Sequence, residues 1–288
     1  MHRIRFMRPA PGLEQFVRFY SQRDARIRDD VVVHPVHARA APLLEFVFGD
    51  RLKVFAANRH VATSSDTVIV GAQTQSNAEL RIQGTLQCFV ILFQPDGLHR
   101  LFSLPMRELT DRNYDARSAL GPVVSQLHQR LGECESLEER VRIVDQFLLR
   151  RSMKLRGQAG ISAIARQIVS RAGSLPIADL AVRTGLSVRQ FERRFLEQVG
   201  VRPKLFSRIV RFETALDSKA RSSQKSWAQV AHDLGYFDQM HMIHDFQQFT
   251  GQVPTYALSR LEVLFREEIQ AMRSGGAHTI PSDSRLIL

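Results

Sequence analysis

Between Leu175 and Pro254 the chain carries one helical pattern twice, and nothing else in it limits the fold so tightly. The first copy runs Ile177–Ala181, then Gly185-Leu186-Ser187, then Phe191 and Phe195, and closes on Gly200 and Pro203. The second runs Trp227–Ala231, then Gly235-Tyr236-Phe237-Asp238, then Met242 and Phe246, and closes on Gly251 and Pro254. Up to the glycine the copies stand 50 residues apart, and from Ser187 and Asp238 onward they stand 51 apart. The second turn therefore holds one extra residue. A repeat whose length changes only in a loop reads as two folded units, here two helix-turn-helix units.

Each repeated position has its own physical reason. A glycine ends the first helix of each unit because the chain must enter a left-handed turn, which a side chain resists. Ser187 and Asp238 are expected N-caps, whose side-chain oxygens accept a free backbone N–H at the start of the second helix. Ala181 and Ala231 are small enough to let two helices approach. Phe191, Phe195 and Val199 recur at helical spacing and form one buried stripe, which leaves Arg189, Gln190, Arg193 and Arg194 facing outward. Arginines in the first turns of such a helix suit a DNA major groove, where a guanidinium reaches guanine with two hydrogen bonds.

This stretch resembles the AraC-type transcriptional regulators over roughly residues 161–258. The residues that carry the resemblance are Gly235-Tyr-Phe-Asp-Gln-Met-His-Met242, then Phe246 and Phe249, then Gly251-Gln-Val-Pro254. The resemblance implies a domain of two helix-turn-helix units joined by a long helix. It implies that Arg189, Glu192 and Arg193 face bases from the first unit, and Met240, His241 and His244 from the second. With the two N-caps and the outward side chains, the expected DNA-contacting set is Ser187, Arg189, Gln190, Glu192, Arg193, Arg194, Asp238, Met240, His241 and His244. Family members usually carry Arg or Lys near positions 244, 247 and 248, where this chain has His244, Gln247 and Gln248.

Charge divides the two units sharply. Residues 161–225 hold 13 Lys and Arg against 5 acids, whereas Ser226–Ser259 hold no Lys or Arg and three aspartates, Asp233, Asp238 and Asp245. Phosphate neutralisation supplies most non-specific DNA affinity, so the first unit is expected to anchor. The second is left with helix N-termini, neutral donors and the imidazoles of His232, His241 and His244.

The rest of the chain is read against this half. A net charge of +11 and a pI near 10.5 favour a nucleic acid or another anionic surface as partner. Cys88 and Cys134 are too few and too scattered for a disulfide framework or a zinc site. No apolar run approaches the roughly 20 residues of a membrane helix, and Met1-His-Arg-Ile-Arg lacks the apolar core of a signal peptide. A cytoplasmic protein without membrane attachment is expected. In the front half, short runs rich in Val, Phe and Ile recur: Val31–Val36, Leu43–Phe48, Leu52–Ala57, Thr67–Gly71, Leu80–Gln83 and Leu86–Phe93. They predict a small antiparallel barrel or sandwich. Ala116–Gly132 and Leu137–Met153 have helical spacing, and Arg151–Gly160 reads as a linker.

The expected architecture is α+β. A cupin-like antiparallel β barrel with flanking helices (residues 1–152) is joined through 153–160 to an all-α domain with two helix-turn-helix units (161–267). A flexible tail follows over 268–288. The resemblance implies a sequence-specific regulator whose partners are double-stranded DNA, RNA polymerase, a small-molecule effector and a second copy of the chain. No cofactor, metal or catalytic residue is expected. The alternative is a metal-dependent cupin enzyme carrying a DNA-binding domain, with His34, His37 and Glu45 as ligands. Pro35 within His34-Pro-Val-His37 argues against it, because that spacing on a strand sends the two rings to opposite faces. Both histidines then read as surface or loop residues. A sequence-blind DNA binder is the third possibility.

Overall fold

In a computed structural model of the chain, residues 2–56, 59–76, 78–153, 155 and 160–264 are described. The N-terminal half is an antiparallel sheet of eight strands: β1 (His2–Met7), β2 (Val17–Val36), β3 (Leu43–Val47), β4 (Lys53–Ala56), β5 (Arg59–Thr63), β6 (Thr67–Val70), β7 (Ala78–Phe93) and β8 (Asn113–Asp115). Their order is β1-β2-β7-β3-β6-β8, with β4 pairing both β7 and β5. β7 is the spine. Its C-terminal half pairs β3 and its N-terminal half pairs β4, while β2 runs along nearly its whole length.

Alternation along the strands sorts side chains to two faces. Leu44, Phe46, Phe89, Ile91 and Phe93 join the core shared with α1 (Gly97–Phe102), α2 (Met106–Leu109), α3 (Ala116–Leu120), α4 (Val123–Gly132) and α5 (Leu137–Ser152). Leu43, Val47, Cys88, Val90 and Leu92 form a second cluster on the opposite, concave face. The two runs expected over 80–83 and 86–93 are one strand passing through Gly84. That glycine has φ +80°, and a Cβ there would stand 2.2 Å from Asp50 Oδ2. Residues 116–132 form two helices rather than one, because Gly121 (φ +83°) and Pro122 interrupt them. β1 and the first half of β2 carry five arginines among Ile4, Phe6, Val17, Phe19 and Tyr20, so charge interrupts their strand pattern. They are held by pairing with each other and with β7.

The C-terminal half is helical: α6 (Gly160–Ser170), α7 (Ile177–Arg183), α8 (Val188–Val199), α9 (Pro203–Arg221), α10 (Trp227–Asp233), α11 (Gln239–Thr250) and α12 (Pro254–Leu264). These helices share one core, to which Ala38, Ala40 and Ala72 of the sheet half also belong. Much of the expected linker (154 and 156–159) and all of the expected tail lie outside the described residues. Among the described residues, no helix is long and apolar enough to cross a membrane.

Candidate nucleic-acid interface

The two turns are built alike. Gly185 and Gly235 both have φ +67°, the left-handed geometry that glycine adopts at no steric cost. Ser187 caps α8 in a reciprocal capping box. Its Oγ accepts the Gln190 N–H (3.3 Å) and Gln190 Oε1 accepts the Ser187 N–H (3.1 Å). Asp238 caps α11 by accepting the His241 N–H at 2.7 Å. Gly200 and Gly251 end the two helices in left-handed caps. Ala181 and Ala231 are buried where the helices of each unit meet, and Phe191, Phe195 and Val199 are fully buried.

Arg189, Gln190, Arg193 and Arg194 are exposed on α8, and Glu192 is half-buried, with its carboxylate 3.9 Å from Arg202. Ser187, Arg189, Gln190, Glu192 and Arg193 line one open depression, together with Leu196 and Arg202. On α11, Met240, His241 and His244 are exposed, and the His241 ring meets Tyr236 edge-on at 5.8 Å. The offset of 51 makes Met240 the counterpart of Arg189, and His244 the counterpart of Arg193. Gln190 is expected to face DNA, yet its side-chain oxygen is committed to the cap, a duty that the Ser187-x-x-Gln190 spacing of a capping box signals.

Several basic residues of the first stretch turn inward. Arg208 donates to Asp245 Oδ1 from Nε (3.0 Å) and from Nη2 (2.5 Å), and Arg211 donates to the Gly173 carbonyl (2.9 Å). Arg221 pairs with Asp217 (2.8 Å) and Lys225 with Asp233 (3.0 Å). Of the exposed cations over 161–225, Arg189, Arg193 and Arg194 lie on α8 and Arg183, Arg202 and Lys204 close to its two ends in sequence, while Arg171 stands after α6. The three aspartates of the second unit are each engaged as well. Asp233 is paired with Lys225, Asp245 is buried against Arg208, and Asp238 serves as a cap. Lys225 holds the Asp233 carboxyl below the ordinary carboxylate range. α9, 19 residues and thus about 29 Å long, lies between the units with Phe206, Ile209, Val210 and Phe212 buried.

The sheet half packs directly on these helices, which the sequence did not reveal. The Thr110 hydroxyl donates to the Gly200 carbonyl (2.6 Å), and Arg107 pairs with Glu197 of α8 at 3.4 Å. A Cβ on Gly200 would stand 2.8 Å from Thr110 Oγ1 and 2.9 Å from the Met106 carbonyl oxygen. Gly200 is thus required twice, for its turn and for this close approach. The Ala38 N–H donates to the Phe249 carbonyl (3.0 Å) and the Ala40 N–H to Glu213 Oε1 (3.0 Å). Between them, Arg39 points the other way. It lines a cavity of about 780 Å³ on the concave face of the sheet, which Arg23, His34, Glu45 and Val90 also line. Burial pushes the Arg39 guanidinium down to about 10, opposed by nearby Glu213, so it keeps its charge at neutral pH.

His34 and His37 are both buried, against the expectation of surface or loop histidines, because His34 lies in the lining of the concave cavity and His37 begins the buried segment 37–41 that bonds to the helical half. His34 and Glu45 share the cavity lining, and His37 is not among its residues. Among the described residues, no three His, Cys, Asp or Glu side chains are grouped as a metal site.

Residues 180–260 match a family described as a helix-turn-helix domain, and residues 5–115 match a domain of unknown function (DUF6597). No curated protein matches the chain in sequence. Among solved structures, ToxT from Vibrio cholerae O395 is 14% identical, over 84% of this chain and 98% of ToxT, with a TM-score of 0.47. The DNA-binding domain of AdpA in complex with a target DNA is 18% identical, over 36% of this chain and 94% of that domain, with a TM-score of 0.33. The AraC-like transcriptional activator CuxR is 12% identical, over 72% of this chain and 84% of CuxR, with a TM-score of 0.24.

Proposed function

We propose that the protein is a sequence-specific DNA-binding transcription regulator controlled by its N-terminal half, from the premise that residues 180–260 are a helix-turn-helix domain whose doubled pattern resembles that of the AraC-type regulators. The observation that carries this reading is the doubled helix-turn-helix, with Arg189 and Arg193 exposed one turn apart on the first recognition helix. Specificity of this kind needs donors in the groove and cations at the phosphates, and α8 with its flanking turns supplies both. The working division is a sensory unit over 1–152, a connector over 153–160 and a DNA-binding unit over 161–267.

Control would come from the concave cavity. Its size suits a small-molecule effector, and Arg39, which lines it, stands in the chain between Ala38 and Ala40, whose backbones bond to the helical half. An effector that moved Arg39 would pull on Ala38 and Ala40, whose N–H groups bond to α11 and α9. The two functions would then be coupled through one short segment.

Selection of bound duplex from a random pool by the full chain tests the reading. The selected sequence should bind at least about a thousandfold more tightly than random DNA at physiological salt. Arg189→Ala or Arg193→Ala should cost roughly 1–3 kcal/mol on that sequence and relax preference at only a few bases. Equal weakening on every sequence would show that these arginines touch only phosphate.

A further inference from the structure

The residue that breaks the repeat is Phe237. Leu186 and Tyr236 each follow the turn glycine and pack against the helical core, and Ser187 and Asp238 each cap the next helix. What the second unit inserts between core residue and cap is a phenylalanine whose side chain is 92% exposed. Three residues later Met240 is 56% exposed, at the position where the first unit presents Arg189. Two large apolar side chains in water beside a recognition helix contribute nothing to this fold's core.

Their surroundings are close to neutral. No Lys or Arg occurs over 226–259, and the three aspartates there are taken up by Lys225, by Arg208 and by the cap of α11. Without Lys or Arg, this helix end meets phosphate or guanine through its N-terminal N–H groups, the exposed imidazoles of His241 and His244 and neutral amides alone. In a major groove the base-pair feature that an apolar side chain can recognise is the C5-methyl group of thymine.

We propose that the second helix-turn-helix unit reads thymine through its methyl groups with Phe237 and Met240, while the first reads guanine with Arg189 and Arg193. This rests on the DNA-binding reading above and adds the base chemistry of its second half. The site it specifies is asymmetric. One half contains G·C pairs and is bound with strong salt dependence. The other is rich in A·T and contributes little to the salt slope, because few counterions are released there.

The test uses the full chain and the duplex it selects, in two forms. One is unmodified, and in the other deoxyuridine replaces each thymine of the half-site footprinted by the second unit. Removing one contacted methyl should weaken binding by the wild-type chain about fourfold. The penalty should disappear in Phe237→Ala/Met240→Ala, whose exposed side chains the fold does not need. Arg189→Ala should keep the penalty while losing guanine preference in the other half-site. Equal binding of the thymine and deoxyuridine duplexes by wild type overturns the proposal, as does a penalty that persists in the double variant or a footprint confined to one half-site. If Phe237→Ala lowers transcription in vitro while the deoxyuridine penalty stays intact, the patch is a protein-docking face and the proposal also falls. Failure to select any duplex is a different result, because it removes the DNA-binding reading itself.

Discussion

Arg208 is the side chain through which the long helix holds the second recognition helix. Its guanidinium, 31% exposed, lies against Asp245, which is 1% exposed and accepts from both Nε and Nη2. Nη2 also donates to Gln248 Oε1 at 2.6 Å, and the guanidinium stands 5.3 Å over the Phe249 ring. Arg208→Met keeps the apolar stem and strands the carboxylate. Removing one partner of a buried pair costs about 3–5 kcal/mol. A third of the Arg208 side chain meets water, so screening lowers the expected loss to about 2–4 kcal/mol. Urea unfolding followed by tryptophan fluorescence measures it where it matters. Trp227 is the only tryptophan in the chain, and it meets Phe246 edge-on at 5.4 Å inside the second unit. Arg208→Met/Asp245→Leu should recover most of the loss, since an apolar pair of similar volume often replaces a buried ion pair without penalty. A single-variant loss below about 1 kcal/mol, the range of surface pairs, would refute the reasoning. So would a double variant no more stable than Arg208→Met alone.

Three further outcomes are expected. Val210 is fully buried in the middle of α9; Val210→Pro should cost about 3 kcal/mol or more and shorten the DNA footprint to one unit, whereas a full-length footprint would show that α9 is not the spacer. Glu213→Ala removes the acceptor of the buried Ala40 N–H and should cost about 1–3 kcal/mol with faster hydrogen exchange at Ala40; Glu213→Gln should restore protection, and unchanged exchange in the Ala variant would count against this contact as a coupling point. Asp233 has its pKa depressed by Lys225, so its contribution is present above the ordinary carboxylate pKa of about 3.9 and is lost as pH falls through the lower, folded value. The melting temperature of Asp233→Asn should therefore fall below wild type at neutral pH and converge with it in acid; a gap constant with pH would show that the pair does not act through charge.

The turn glycines, the caps and the apolar stripe were legible because they are local. Gly185, Ser187, Phe191 and Phe195 are set by backbone conformation and helical period within a dozen residues, and those rules hold wherever the helix packs. The sheet was less legible. Residues 17–27 mix Val17, Phe19, Tyr20 and Ile27 with Arg18, Arg23, Asp24 and Arg26, so no clean alternation marks them, and pairing with β1 on one side and β7 on the other makes them a strand. The His34-x-x-His37 spacing suggested two surface or loop histidines on opposite faces, yet both are buried, because burial depends on what covers a strand and not on its own pattern. Similarly, counting cations over 161–225 overstated what faces DNA, since a count does not see that Arg208, Arg211, Arg221 and Lys225 each bond to a group elsewhere in the same domain.

The sequence by itself determined the doubled helix-turn-helix, its caps and the charge contrast between its halves, because each follows from residue type and short-range spacing. Only the tertiary structure decided that Arg39 stands between a cavity and Glu213, that Thr110 closes on Gly200, and that Phe237 is left in water. Those facts join residues up to 174 positions apart in the chain (Arg39 and Glu213), and contacts at such separations are fixed by how whole elements pack rather than by any local preference.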